Sequence, residues 1–539
     1  MKKFIAILTF SFLCIISYSQ ETKITVTWGP EQKGTSGKGD KEQSYLIGEA
    51  PNEGKYILRE KYKYLYGQIS NVKRFLEHYD KNGNRLRSEK IIIRHKEGDR
   101  FFDGVFFNDG RMYLVTFHLR RNDKMNVLSV QNIDTATMLV DEHIKAVAEV
   151  PYKRGLFGFV NQYTIKMLGD RIYVFHAAPE KITDNTLISI HVFDLDFNLK
   201  WKFFKSLEFK EKLFQPEDFD VDQNGTVRVL ASIYKDKKRK VRKGKPNYEY
   251  HFFAIDDEGK KFKEHSVLLG DKFITDMRFT YRANGDIACA GFYSDKGSIL
   301  KPVTIAGAFY LNVDPESDEV KLENTKAFDE AFLSHFMTMD AASRGKEIKN
   351  ISLRELSFLD DGSAVLLAEE FTEFETSFSI TSISYSYGPS YYTKTISTMT
   401  SKWSNFHFDN IIALRINTKG EIEWANILKK KQHTIEDVGM YSSFAVMYYK
   451  DRIFLIYNDN PKNLTAGPNE LYRFRKNKNA VVVCAEIRPD GSLVKKALFN
   501  AREAETLTCP RSCKQISENK MEIYGKKRGK YKFGEIEFH

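Results

Sequence analysis

Cysteine is scarce in this chain, with five among 539 residues, which excludes a disulfide-stapled framework. Cys289 and Cys484 sit inside apolar strand patterns and read as buried, inert thiols. Only Cys509 and Cys513, in TCPRSC, are close enough to suggest a local disulfide, which an exported chain could form. Neither these nor the twelve scattered histidines have metal-ligand spacing, and HExxH and GxSxG are absent. No metal and no other cofactor is expected. Long apolar runs are lacking as well. The one candidate, residues 4–16, is too short to span a bilayer, so no transmembrane segment is expected. Preceded by Lys2 and Lys3 and followed by Ser17-Tyr18-Ser19, it has the layout of a signal peptide covering residues 1–19. Phe12 and Leu13 before Cys14 do not suit a lipoprotein signal. The expectation is an exported protein of the periplasm or cell envelope, with secretion as the alternative. Strand patterning runs on to Phe538, leaving no appended sorting domain, which favours the periplasm. Helical periodicity is nearly missing too. Phe328, Phe332 and Phe336 predict one short helix within 328–340.

Strands and tight turns, by contrast, fill the chain. With 42% hydrophobic and 14% aromatic residues it can build a large core. Turns at Asn52-Glu53-Gly54, Asn108-Asp109-Gly110, Gly169-Asp170, Asn224-Gly225, Asn284-Gly285, Asp361-Gly362, Lys450-Asp451 and Glu518-Asn519 each introduce an apolar strand. Asn-Gly and Asp-Gly tolerate positive φ at low cost. A second series, including Asn82-Gly83, Glu258-Gly259, Lys419-Gly420 and Asp490-Gly491, separates two further strands. Four short strands recurring at roughly 56 to 60 residues are the signature of a β-propeller. The fold class is therefore all-β, a single propeller domain over 20–539. Its eight blades lie at about 45–93, 100–145, 155–208, 213–270, 273–327, 350–430, 435–500 and 505–539. Seven blades, with the first unit displaced, is the alternative. The last unit lacks a fourth strand, and the orphan Ile24-Thr25-Val26-Thr27-Trp28 is predicted to supply it and close the ring.

In an antiparallel meander the tight turns share one face, and the connections between strands two and three, with those between blades, share the other. The large insertions, 235–247, 371–408 and 458–479, all fall on that second, long-loop face. The first is strongly basic, with Lys237, Lys238, Arg239, Lys240, Arg242 and Lys243 as candidate contacts for an anionic glycan or lipid surface. The second is rich in tyrosine, and Tyr385, Tyr387, Tyr391 and Tyr392 are candidates for stacking sugars or peptides. Each has a plainer reading, as a solvated tip and as a strand-extending hairpin. The net charge of +11 agrees with an anionic partner. Export and the lack of aromatics within the basic run argue against nucleic acid.

Asp220-Val221-Asp222-Gln223-Asn224-Gly225 matches the opening of a calcium loop, but position twelve is Ala231, so a structural turn is expected. Glu369-Glu370 and Asp256-Asp257 read as solvated pairs at strand ends. The leading reading is a non-enzymatic binding or scaffold module for an envelope protein, a peptide or a glycan. The rival is a propeller hydrolase or lyase acting on polysaccharide through acids gathered in the central channel. Acids and histidines converging there would favour the rival, and a lining of aliphatic and small residues would sink it.

The text DNIIALRINTKGEIEWANILKKKQ, YSSF and RIFLIYNDNPKN, with ITVTWGPE and YLIGEAPNEGKYILRE, resembles a group of uncharacterised exported proteins from Bacteroidetes bacteria. That resemblance implies an exported, propeller-like architecture and carries no activity with it.

Overall fold

The computed structural model describes residues 22–539 apart from 36–39, 53, 66–67, 94–99, 109, 153–162, 237–240, 243–244, 283, 296–303, 318, 360, 389–390, 436, 438, 468–469 and 477–478. The expected signal peptide, 1–19, lies outside the described residues. Eight four-stranded antiparallel blades form a ring, a β-propeller. We number them in chain order. Their innermost strands are Asp40–Ala50, Arg100–Asn108, Thr164–Leu168, Phe214–Val221, Phe273–Tyr281, Ile351–Phe358, Ala445–Tyr449 and, in blade eight, Lys514–Gln515.

The second and third strands of a blade have neighbouring blades on both faces, which is why they read as unbroken apolar runs. Val227–Tyr234, Ile287–Ser294 and Val481–Ile487 are buried along their whole lengths. Outermost strands such as Val320–Ala327 alternate with solvent instead. Tight turns close the meander, and two of their glycines have a double reason to be glycine. Gly420 and Gly491 have φ of +79° and +83°, and a Cβ would lie 2.5 Å from Leu322 and 2.9 Å from Trp424 of the preceding blade.

Neighbouring blades are stitched on the tight-turn face by cations donating to the next blade's carbonyls. Arg87 donates to Thr137 O (2.8 Å), Lys145 to Asp196 O (3.3 Å) and Arg228 to Pro315 O (2.6 Å). Arg282 reaches Thr418 O (3.4 Å), Lys326 reaches Ile422 O (3.0 Å) and Arg415 reaches Pro489 O (3.2 Å). Each such bond contributes about 1 kcal/mol, less where it is exposed.

The ring closes as the orphan strand requires. Ile24–Trp28 pairs antiparallel with Lys530–Phe538, from Ile24 opposite Phe538 to Trp28 opposite Gly534. Lys496 of blade seven clasps it through Thr22 O (2.6 Å). Between blades eight and one the junction is a buried polar knot. The Glu77 carboxylate accepts from Arg59, Tyr79 (2.7 Å), Arg85 (3.2 Å) and Ser88 (2.9 Å), and Tyr79 meets the Tyr531 hydroxyl at 3.1 Å. Arg59 is what holds the buried Glu77 carboxyl below its usual range, against the opposing effect of burial.

Three local expectations change. Helix occurs as two short pieces, Glu330–Leu333 and Met339–Ser343, because Thr338 caps the second and breaks the run. Phe328, Phe332 and Phe336 still stack in sequence, at 4.3 and 5.9 Å between ring centroids, against the blade-five and blade-six core. Cys509 and Cys513 are free thiols rather than a disulfide. The 3-10 turn Pro510–Ser512 points the Cys513 thiol at the Cys509 carbonyl (3.4 Å), and burial pushes the Cys509 thiol up to about 12. Glu369 is fully buried and ion-paired, not solvated.

Gly534→Val would put a side chain onto Trp28, since a Cβ there lies 2.6 Å from its ring. The closing strand should lift at a cost of about 1–3 kcal/mol, and hydrogen exchange should show Lys530–Phe538 losing protection. Unchanged protection would contradict the closure.

Candidate functional site: the channel and its long-loop mouth

The channel wall follows from one repeated irregularity. The innermost strand bulges at the same step in blades one, two, four, five and six, between Leu46/Gly48, Phe102/Gly104, Pro216/Asp218, Ile274/Asp276 and Leu353/Glu355. A bulge re-aims the residues that follow it. In three successive blades the residue after it is an acid: Asp218, Asp276 and Glu355.

Each of these acids reaches the next blade. Asp218 faces Arg278 at 3.8 Å, Asp276 accepts the Leu353 N–H at 3.3 Å, and Glu355 accepts the Tyr448 hydroxyl at 3.1 Å. Lys166 of blade three pairs with Asp220 at 2.6 Å, and Gln515 of blade eight brackets the Tyr448 backbone at 3.0 and 3.1 Å. A channel cavity of about 690 Å³ opens between blades five and eight, with Glu355, Tyr448, Arg511 and Lys514 in its wall. The lining is mixed: Glu355, Arg511 and Lys514 stand among Leu356, Phe358, Ala445 and Val446, with a single acid and no histidine among its described residues, so the wall is neither purely aliphatic nor a convergence of acids. The acids after the bulges bind neighbouring strands. Burial raises the Asp218 carboxyl despite Arg278, and burial alone pushes Asp103, on the opposite side of the ring, up to about 6.

On the long-loop side, blades one and six, separated by two blades in the ring, share one buried cluster. Tyr62 and Tyr64 of blade one pack with Phe371, Phe406 and Phe408 of blade six, so the two hairpins meet over the channel mouth. Arg354 and Arg511 lie 5.6 Å from the Phe371 ring and 5.8 Å from the Phe408 ring. The blade-six hairpin, Ala364–Gly388 with Tyr391–Ile416, bulges between Glu369 and Phe371 and then continues outward. That arm is on the order of 50 Å long at about 3.3 Å per residue.

A buried network fixes the arm's root. Lys430 donates to Glu369 (2.7 Å), Phe408 O (2.8 Å) and Gln432 (3.2 Å), while Arg354 (2.8 Å) and Ser443 (2.7 Å) donate to the other Glu369 oxygen. Burial lowers the Lys430 ammonium against the pull of Glu369, and burial raises Glu370 and Asp409 at the same root. His407 and His433 stack there at 4.2 Å, and burial first, then Arg473, pushes His433 down to about 4.

Of the residues nominated from the sequence, Lys237, Lys238, Arg239, Lys240 and Lys243 lie outside the described residues. Arg242 is in the two-residue strand Val241–Arg242, opposite Lys245. Tyr385, Tyr387, Tyr391 and Tyr392 lie along the outer end of the blade-six hairpin, with Tyr387 opposite Tyr392 and Tyr385 opposite Lys394. The DVDQNG turn is structural: Asp222 accepts the Asn224 and Thr226 N–H groups, both at 2.9 Å. Sequence reasoning missed the channel acids. Their signal was the repeated acid-apolar step at Asp218-Phe219, Asp276-Met277 and Glu355-Leu356.

No family model matches the chain, and no curated protein matches it. Solved structures are similar in fold at low identity. The polysaccharide lyase Uly1 shares 12% identity at a TM-score of 0.33, over 81% of this chain and 90% of that one. A β-propeller domain of the Trilobed protease from Pyrococcus furiosus shares 7% at 0.32, over 85% and 95%. A protein of unknown function from Bacteroides caccae shares 9% at 0.27, over 72% and 94%. Among the described residues no helix is long and apolar enough to cross a membrane, and no group of three or more acids, histidines or cysteines could hold a metal ion.

The folded chain keeps the Asp103 proton to about pH 6, against 3.8 for an ordinary aspartate. It therefore binds more protons than the unfolded chain between those values, and stability falls as pH rises through that window. Asp103→Asn should flatten that fall and raise the thermal midpoint near pH 7 by about 1–2 °C. An unaltered pH profile would contradict the assignment.

Proposed function

We propose that this protein is an exported, non-enzymatic binding module of the cell envelope, one of a Bacteroidetes group of such propellers, that engages an anionic glycan on its long-loop face. The observation that carries this reading is the commitment of the channel acids. Asp218, Asp220, Asp276 and Glu355 each hold a neighbouring strand, which ties these carboxylates into the fold rather than presenting them for general acid–base work. The adornments of the ring gather at the other end of the strands, where the blade-six arm stands on a root fixed by Glu369 and Lys430. Rigid scaffolds bearing variable loops are the usual setting for recognition. The basic sequence of 235–247 adds attraction for polyanions, and a leader in 1–19 would account for the compartment.

The acids Asp103 and Glu355 of the inner strands leave a second reading, a polysaccharide hydrolase or lyase that would use them. One experiment separates the two. Replacing residues 378–401 by a two-residue Asn-Gly turn should leave the thermal midpoint within a few degrees. It should weaken binding to arrayed acidic polysaccharides at least tenfold, as should Ser/Gly replacement of 237–243 in a salt-sensitive manner. Cleavage of those polysaccharides by the mature protein, lost in Glu355→Gln, would replace the binding reading with the enzymatic one.

A further inference from the structure

The insertion of blade seven offers a second, better-defined surface on the same face. Between Arg452–Asp459 and Val481–Ile487 the chain makes a long excursion, yet two asparagines tie its arms together. Asn463 donates to Tyr472 O (2.7 Å) and to Asp459 (2.7 Å), and its amide oxygen accepts the Tyr472 N–H (2.7 Å). Asn460 donates to Arg473 O (3.1 Å) and accepts the Lys462 N–H (3.1 Å). Phe474, 1% exposed, pins the returning arm, its N–H donating to Lys431 O at 2.8 Å. The described arms of the loop are thus tied to one another before any ligand arrives, which lowers the ordering cost of binding.

What that shape presents is a cationic bowl. A cavity of about 450 Å³ is walled by Lys462, Tyr472, Arg473 and Arg475, with Asp459 at its buried floor. That volume falls within the roughly 300–1,000 Å³ of small-ligand sites. Lys462, Arg473 and Arg475 are exposed, and among the described residues no carboxylate pairs with them. The Arg473 guanidinium donates to His433 O at 3.3 Å, which ties it to the root of the blade-six arm. The Asp459 carboxylate at the floor is turned inward, accepting the Asn460 N–H (2.7 Å) and the Asn463 amide (2.7 Å) that tie the arms together. The larger cavity on the tight-turn face, about 830 Å³, differs in kind, because its Arg228 and Lys263 are already engaged as clasps between blades.

We infer that this bowl binds the carboxylate of an acidic sugar, with Arg473 and Arg475 taking the carboxylate and Lys462 and Tyr472 lining the ring. Guanidinium pairs match a carboxylate in geometry as well as charge. The inference rests on the long-loop face being the binding face and names the chemistry that one part of it reads. The test uses the mature full chain, oligogalacturonate of four residues and its methyl ester, with affinity read by calorimetry. Wild type should bind the acid and bind the ester at least tenfold more weakly. The double variant Arg473→Ala/Arg475→Ala should lose at least tenfold for the acid at an unchanged thermal midpoint. Asn463→Ala, which frees the arms, should weaken the acid without altering the preference over the ester. Binding of the acid that survives the double variant but is lost with residues 378–401 would sink the bowl and keep the face. Equal binding of acid and ester, or no binding of either, would overturn the inference.

Discussion

A propeller depends on how each blade is held to the next, because blades meet only along their flanks and a ring with one loose junction is an open sheet edge. In this chain much of the fastening is done by polar groups that reach from one blade to the next. On the tight-turn face, Arg and Lys side chains of one blade donate to backbone carbonyls in the following blade's outer turn. Along the channel, the acid after the bulge in blades four, five and six reaches the following inner strand. Apolar burial supplies most of the stability, but it is non-directional. The clasps set the angle at which one blade follows another. Part of the basic excess thus serves construction rather than recognition.

The closure of the ring obeys the same logic with different groups. Where the two ends of the chain meet, a buried carboxylate, Glu77, is shared by Arg59, Tyr79, Arg85 and Ser88. A buried charge with several donors is costly to misplace, since a shifted register leaves it unpaired. The knot therefore specifies one closure, while Ile24–Trp28 covers the edge that would otherwise stand open.

Much of this architecture could be read from residues. Asn-Gly and Asp-Gly turns mark strand boundaries because few other pairs accept those angles, and doubly apolar runs such as Val227–Tyr234 announce inner strands. The orphan strand was legible because a unit without its fourth member must find one. The channel was not. Asp218, Asp276 and Glu355 lie in different blades, and only the bulge before each aligns them. Glu369 reads as a solvated strand end because its partner, Lys430, lies sixty-one positions on. The bowl on blade seven was hidden similarly: NDNPKNL looks like a loose loop until Asn460 and Asn463 are seen bridging to Arg473 and Tyr472.

Whether the channel acids hold strands or perform chemistry separates the two proposed functions. The most direct measurement is a double-mutant cycle on Glu355 and Tyr448, using Glu355→Gln and Tyr448→Phe, with unfolding free energy as the readout. A coupling of about 1–2 kcal/mol, the size of a hydrogen bond to a charged group, is predicted. No coupling, together with turnover of an acidic polysaccharide that disappears in both single variants, would contradict the binding reading.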